Sequence, residues 1–301
     1  MSARQDEPPK PQNQYLVYNP SAPAAPLDAY ERLQHKCLRG PQGRKLLEDL
    51  RKLIEQASQG ELEQTVSNYT QQMLLSAVRV SEKQCPGLQT TLERAQQKIS
   101  LVFGERAAEH AAQAVLYTKL DAGVNASSLA LPCGRPVVFV TDALVRLLSP
   151  EELELVLLHE LAHIVYTDSE TVVAMKTKMA LMSDGTLAGT QQAQSTLSEY
   201  NILQAGFELT ADRAMLLCAG ADSWPAVLSM FAKLAGGAVG EPLNGELFLQ
   251  QLDEMQDTMQ RTIVSAAVAA NPHPPVLFRV QELQKFMDDS TPYGLVRSSR
   301  M

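Results

Sequence analysis

The hydrophobic pattern of the chain is strongest between residues 153 and 165, where apolar side chains predict a buried helix. Ser149 is a favourable N-cap residue, and Pro150 suits the first turn of a helix. Glu152 stands three residues after Ser149, the spacing of a capping box that satisfies free N–H groups at a helix start. The sequence therefore predicts a helix that starts at Pro150 and continues through the apolar segment.

Before this helix, the pattern predicts a helical region followed by a small sheet. Residues 1–26 are rich in Pro, Gln, Asn and Ala and predict a flexible arm, and helical periodicity begins at Leu27. Three helices are predicted in this region: one that ends at Gly60, one over residues 61–82, and one from Pro86 to Ile99. The predicted strands lie at 114–117, 128–131 and 136–140, and a short helix follows at 142–148.

After the central helix, the pattern is helical again. A methionine-rich stripe between Val172 and Met182 is typical of a core-facing helix surface. Gly206 is predicted to separate two helices, and the glycine-rich residues 236–245 are predicted to form a mobile loop. The predicted helices cover 171–183, 190–206, 207–219, 223–237, 246–269 and 275–288, with a loose tail from residue 290. We therefore expect an α+β fold that is mostly helical.

Composition narrows the classes of function. The 301 residues suffice for one large domain or two modest ones, and the net charge of -8 argues against a nucleic-acid-binding surface. The N-terminus has no apolar signal core, and no uncharged apolar run approaches about eighteen residues, so we expect no membrane span. The four cysteines lie far apart without a CxxC pair, as is typical of free thiols in a reducing compartment. These features predict a soluble, cytoplasmic protein.

The central helix contains the sequence His159-Glu160-Leu161-Ala162-His163. Residues four apart share a helix face, so His159 and His163 can present two imidazoles to one metal ion. Two imidazoles suit zinc, and a carboxylate such as Glu160 beside the metal can take a proton from a bound water. The alternative is a buried helix with two core histidines, but burying these three groups without a partner is costly. A metal ion would remove that cost.

A zinc ion on two histidines needs at least one more protein ligand. Glu208 and Asp212 are four residues apart on an otherwise apolar predicted helix, so both carboxylates share a face. Glu208 is the best candidate for the third ligand, and Asp212 for an acceptor that orients a zinc-bound imidazole. The alternative is that Glu208 forms an ordinary ion pair and Asp212 is a surface charge.

Several separated motifs, taken together, resemble peptidase family M48, the zinc metallopeptidases that include the CAAX prenyl proteases, HtpX and the OMA-type proteases. Besides HExxH and ExxxD, the similar segments are Asn125-Ala126, residues 129–132 and 137–144, Ser149–Leu153, and Asn271–Pro275 with Arg279. The resemblance covers about residues 86–288. It implies a zincin-like metallopeptidase domain there, preceded by the arm (1–26) and a helical region (27–85) and followed by a tail (289–301).

The resemblance also implies roles for individual residues. His159, His163 and Glu208 would bind one zinc ion per chain, and Glu160 would act as general base and then proton donor. Asp212 would orient His159, His273 would face the cleft and help to stabilise the tetrahedral intermediate, and Arg279 would support that loop. The strand near Asn125 and Leu129 would pair with an extended protein or peptide substrate. A soluble member of the family without a membrane span is expected.

Other interpretations remain open at this stage. The arm or the tail is expected to keep a cytoplasmic endopeptidase latent by covering its cleft. Cys133, close to the predicted substrate strand, is a candidate switch ligand, and the alternative is a buried or incidental cysteine. A deformylase also uses HExxH, but Cys37-Leu38 lacks the preceding glycine and lies far from the predicted sheet. A chaperone-like or adaptor protein with a structural zinc is the alternative outside the enzymes, although a structural site has no need of Glu160.

Overall fold

The structure is a computed structural model that describes residues 38, 40–56, 68, 71–129, 135–166, 191–237, 243–256 and 273–289. These residues are mostly helical and include a four-stranded sheet, which confirms the predicted fold class. Across the described residues, no single helix is long and apolar enough to cross a membrane. One pair, Asn201–Ala219 with Ala221–Gly236, passes by length and composition together but is bent by 109°.

All four strands of the described chain lie between residues 77 and 141, and the elements after them are helices. The helices are α1 (Pro41–Gln56), α2 (Pro86–Phe103), α3 (Glu105–Ala112), α4 (Asp142–Leu147), α5 (Pro150–Val165), α6 (Gln191–Ala219), α7 (Trp224–Gly236), α8 (Gly245–Gln256) and α9 (Val276–Asp289). The strands are β1 (Ala77–Arg79), β2 (Val115–Lys119), β3 (Ala126–Leu129) and β4 (Val137–Thr141).

The sheet has the strand order β1-β2-β4-β3. Strands β2 and β4 are parallel, with Leu116 opposite Val138, whereas β1 and β3 pair antiparallel with their neighbours. This order places β3 at one edge of the sheet and β1 at the other. Helix α5 contacts both β3 and β4, so the HExxH helix lies against the β3 side of the sheet.

The two faces of the sheet have separate apolar contacts. On one face, Leu116, Val138 and Val140 join the main core, which includes the buried side chains of α5. On the other face, Leu129 and Phe139 form a smaller cluster that residues such as Met73 and Leu74 partly cover. The alternation of inward and outward side chains along a strand explains this division. Helices α2 and α6 pack against α5 and bury it almost completely.

The start of α5 has the predicted capping box. The Ser149 hydroxyl accepts from the Glu152 N–H at 3.2 Å, and the Glu152 carboxylate accepts from the Ser149 N–H at 2.7 Å. Glu152 also accepts hydrogen bonds from the Ser229 hydroxyl and the Lys233 ammonium, both at 2.6 Å. The cap therefore fixes the start of the HExxH helix to α7 as well as satisfying its own backbone.

Two predicted helices differ from the structure. The helix predicted over 61–82 is wrong at its end, because Ala77–Arg79 forms β1 and pairs with β2. The region 27–85 is therefore not wholly helical. The break predicted at Gly206 is also wrong, because α6 runs through it. One helical glycine costs only about 1 kcal/mol, and the buried apolar surface of α6 on either side outweighs that cost.

The other boundaries shift by a few residues. Helix α2 continues past Ile99 to Phe103 and ends at Gly104, and the strands begin or end one to two residues from their predicted bounds. The short helix α3 between α2 and β2 was not predicted.

Several predicted features lie outside the described residues. These are the arm (1–26), the helix over 171–183 with its methionine stripe, residues 238–242 of the loop over 236–245, the helix beyond Gln256, the tail from 290, Cys37 and Cys133.

Candidate metal centre

Helix α5 brings the two histidines of its HExxH sequence together on one face. The Nε2 atoms of His159 and His163 are 3.1 Å apart, and the two rings meet edge to face with their centroids 4.7 Å apart. His159 is buried and His163 is half-buried. Their ring nitrogens therefore converge on one point, as their spacing along the helix predicted.

Glu208 of α6 provides the third donor of this group. Its two carboxylate oxygens lie 3.5 Å from His159 Nε2 and 3.7 Å from His163 Nε2. Ligand atoms about 2.0–2.1 Å from a tetrahedral zinc ion are separated by about 3.3 Å. The three observed separations lie close to that value, and all three donor atoms lie within 4.8 Å of one another. Two imidazoles and one carboxylate therefore fit a zinc ion in both chemistry and spacing.

Asp212, one turn after Glu208, lies behind His159. Its side chain is fully buried, and its Oδ1 atom is 2.9 Å from His159 Nδ1. Arg279 of α9 donates two hydrogen bonds to the same carboxylate, from Nε at 2.8 Å and from Nη2 at 2.6 Å. A carboxylate that accepts from the distal nitrogen of a ligand imidazole fixes its tautomer and orientation. The structure thus places Asp212 where the sequence predicted an orienting acceptor.

The charges of this cluster attract positive charge. Burial alone would lower the pKa of His159, but hydrogen bonds to Asp212 and Glu208 outweigh it and raise the pKa to about 10. Burial would raise the pKa of Glu208, but hydrogen bonds from His159 and His273 and the charge of Arg279 hold it well below its ordinary value. A proton on His159 balances the negative charge of the neighbouring carboxylates here. A divalent cation would balance that charge instead, and its binding would release the proton.

Glu160 directly follows His159 in α5, and His273 lies next to Glu208. Glu160 is buried, with 7% of its surface exposed. Although burial opposes a charge on Arg279, the carboxylates of Asp212, Glu208 and Glu160 raise its pKa, so Glu160 acts electrostatically on the same group. The His273 side chain is 63% exposed and its Nδ1 atom is 3.2 Å from a Glu208 oxygen. The structure therefore brings His273 into contact with Glu208 and places Glu160 on the same helix as the two histidines.

Arg279 has a larger part in the site than the sequence indicated. It connects α9 to Asp212, and its Nη1 atom lies 3.7 Å from Glu208 Oε2. Its guanidinium carbon also lies over the Phe231 ring of α7, 5.1 Å from the ring centroid. The contact with Phe231 was not predicted. No local pattern marks it, because α7 reads as an ordinary apolar helix and only the packing brings Phe231 under the guanidinium group.

The predicted substrate residues lie on the edge strand. Asn125 is exposed and just precedes β3, where its carbonyl accepts hydrogen bonds from the N–H and the hydroxyl of Thr141. Leu129 is buried in the smaller apolar cluster on the outer face of the sheet. Within the described ranges, β3 pairs only with β4, so its other edge carries main-chain groups without a strand partner. Contacts with an extended ligand would therefore come from the main chain of β3 rather than from the Leu129 side chain.

Comparisons with known proteins agree with this geometry. A sequence model described as peptidase family M48 matches residues 93–287, which is more than half of the chain. A similar protein is the plastoglobule-localized metallopeptidase 48, chloroplastic, of Arabidopsis thaliana, which is 30% identical over 179 residues. The match covers 57% of this chain and 51% of that protein, so the chain spans about half the length of this relative. No solved structure matches the chain.

Proposed function

This chain belongs to peptidase family M48, and from that membership we propose that it is a zinc-dependent metalloendopeptidase with His159, His163 and Glu208 as zinc ligands. The observation that carries the proposal is the convergence of these three side chains, with donor atoms within 4.8 Å of one another. Membership in the family implies a metallopeptidase, and the proposal adds the ligands, one zinc ion per chain, and the residues that move protons.

The proposal assigns a task to each residue of the candidate metal centre. Zinc held by the three ligands would supply Lewis-acid polarisation of the scissile carbonyl and a lowered pKa for water. Glu160 takes the proton of the attacking water and returns it to the leaving amine. Asp212 and Arg279 hold the His159 ring in place and keep its Nε2 directed at the metal. His273, which is largely exposed, donates a hydrogen bond to the developing oxyanion when substrate binds.

The free edge of β3 is the proposed binding site for an extended peptide. An added strand would pair with main-chain groups of residues 126–129, next to the helix that carries the metal ligands. Because such pairing uses the backbone of the peptide, it favours unfolded or extended substrates over folded ones.

Location and restraint of the activity are further parts of the proposal. We place the protein in the cytoplasm, which is consistent with the free thiols of Cys85 and Cys218. An endopeptidase there must be restrained, and residues 1–26 or 289–301 are the candidate inhibitory segments. Removing the segment that covers the cleft is then expected to raise the cleavage rate. Equal rates in the full-length and truncated proteins would exclude this part of the proposal.

The proposal is tested by profiling the cleavage of a diverse pool of unfolded peptides. Zinc-loaded wild-type protein, the same protein with a chelator, and the Glu160→Gln variant are each incubated with the pool, and new termini are read by mass spectrometry. We expect new termini from the zinc-loaded wild type alone. New termini formed by the Glu160→Gln variant at the wild-type rate would refute the assigned role of Glu160. Bound zinc with no cleavage by wild-type or truncated protein would favour the non-catalytic adaptor instead.

A further inference from the structure

A second concave site lies away from the residues of the metal centre. It is a cleft of about 510 Å³ between the end of β1, the first half of α2, the start of β2 and residue 135. We call it the basic cleft. The polar residues that line it are Arg79, Ser81, Glu82, Lys83, Gln89, Gln96, Gln113 and Arg135. The volume falls within the range of about 300–1,000 Å³ that is typical of small-molecule sites.

Backbone and side-chain hydrogen bonds fix the walls of the cleft. The Gln96 side-chain amide donates to the carbonyls of Ala111 and Ala114, which holds the start of β2 against α2. The Val115 N–H donates to the Pro136 carbonyl at 2.9 Å, which places Arg135 beside that same wall. A tight turn, in which Ser81 and Gln84 exchange two backbone hydrogen bonds, carries Lys83 at the rim. The cleft is therefore part of the fold rather than a gap between loosely packed loops.

The charges in the cleft are not neutralised by the protein. Arg79, Lys83 and Arg135 are exposed and make no ion pair with any described residue. Glu82 is the one acidic residue among those that line the cleft. Arg94, which lies on α2 but does not line the cleft, is paired with Glu154. The whole chain has a net charge of -8, so this cleft, with three unpaired basic side chains, differs in sign from the protein as a whole.

We propose that the basic cleft binds a small molecule that carries oxyanion groups, either an organic phosphate or a polycarboxylate. Guanidinium groups form paired hydrogen bonds with phosphate and carboxylate oxygens, and Arg79 and Arg135 supply two of them. This site is separate from the proposed zinc centre and does not depend on peptidase activity.

The proposal is tested by titrating full-length protein with inorganic phosphate and, separately, with succinate, at constant ionic strength set by chloride. Calorimetry is expected to detect saturable binding of at least one anion. Binding should weaken by about tenfold in Arg79→Ala and in Arg135→Ala, since each loses a charge-assisted hydrogen bond. Preference for phosphate would identify an organic phosphate as the ligand class, and preference for succinate a polycarboxylate.

A matched control removes the same charge elsewhere. Arg44 is exposed on α1 and does not line the cleft, so Arg44→Ala should bind the anion as tightly as the wild type. Lys83→Ala gives a second test at the rim, should either arginine variant fold poorly. The absence of saturable binding to either anion, or equal weakening in Arg44→Ala, would overturn the proposal. Zinc content serves as an independent readout, which should be unchanged in every variant.

Discussion

The exchange of Asp212 for asparagine tests how the metal centre is held together. Asp212 is fully buried between Arg279, which donates two hydrogen bonds to it, and His159 Nδ1 at 2.9 Å. Asparagine has nearly the same shape but carries no charge. The Asp212→Asn variant therefore leaves the largely buried Arg279 guanidinium without its paired carboxylate. Among the described residues, the carboxylate that remains within 4 Å is Glu208, whose Oε2 atom is 3.7 Å from Arg279 Nη1.

Two magnitudes follow from this geometry. Removing one partner of a buried ion pair costs about 3–5 kcal/mol, and the neighbouring Glu208 argues for the lower end, about 3 kcal/mol of unfolding free energy. Loss of the carboxylate that orients a ligand imidazole typically weakens metal binding by about 10–100-fold. The first effect applies to the metal-free protein, whereas the second appears only in zinc binding.

The two effects are measured separately. Urea unfolding of chelator-treated protein gives the loss of stability, and competition with a chromophoric chelator gives the zinc affinity. Asp222→Asn is the control, because Asp222 is exposed in the short 3-10 turn before α7. Unfolding free energies within about 0.5 kcal/mol of the wild type, together with unchanged zinc affinity, would refute the role assigned to Asp212.

Two other predictions concern stability. The pKa of Glu152 is lowered, since hydrogen bonds from Lys233, Ser229 and the Ser149 N–H outweigh the opposing effect of burial. Glu152→Gln should therefore lower the free energy of unfolding in urea by about 2 kcal/mol at neutral pH. The difference from the wild type should shrink as the pH falls below 4.5, the ordinary pKa of a glutamate carboxyl. A difference that grows in acid would contradict this prediction. Gly245→Ala should lower the free energy of unfolding by about 1–3 kcal/mol, because the added Cβ would lie 2.7 Å from the Leu228 Cβ. Gly87→Ala is the control: its added Cβ would have no atom within 4 Å, so thermal unfolding should show no loss of stability.

Local signals in the sequence were sufficient to predict the helix that carries two residues of the candidate metal centre. Ser149, Pro150 and Glu152 define the start of α5 through contacts within one helical turn, and the spacing of His159 and His163 sets their common face. These features depend on short-range geometry, which the sequence determines directly. The structure adds that Glu208, far along the chain, lies within 3.5–3.7 Å of both rings.

Long-range packing explains what the sequence could not predict. Strand β1 has only three residues, and its pairing with β2 stabilises it. So short a segment has no period of its own, so the sequence alone extends the preceding helix through it. The bonds from Ser229 and Lys233 to Glu152 join residues more than seventy positions apart. In the same way, Arg279 reaches Asp212 only because α9 packs against α6. None of these contacts follows from periodicity or capping rules.

The cleavage rate per bound zinc ion, compared between the wild type and the Glu160→Gln variant, tests the central claim most directly. The account predicts one zinc ion per chain in both proteins, because Glu160 is not among the three convergent ligands. It also predicts a rate at least about 100-fold lower in the variant, since general-base catalysis typically contributes that much or more. Equal cleavage rates per zinc ion in the two proteins would contradict the account.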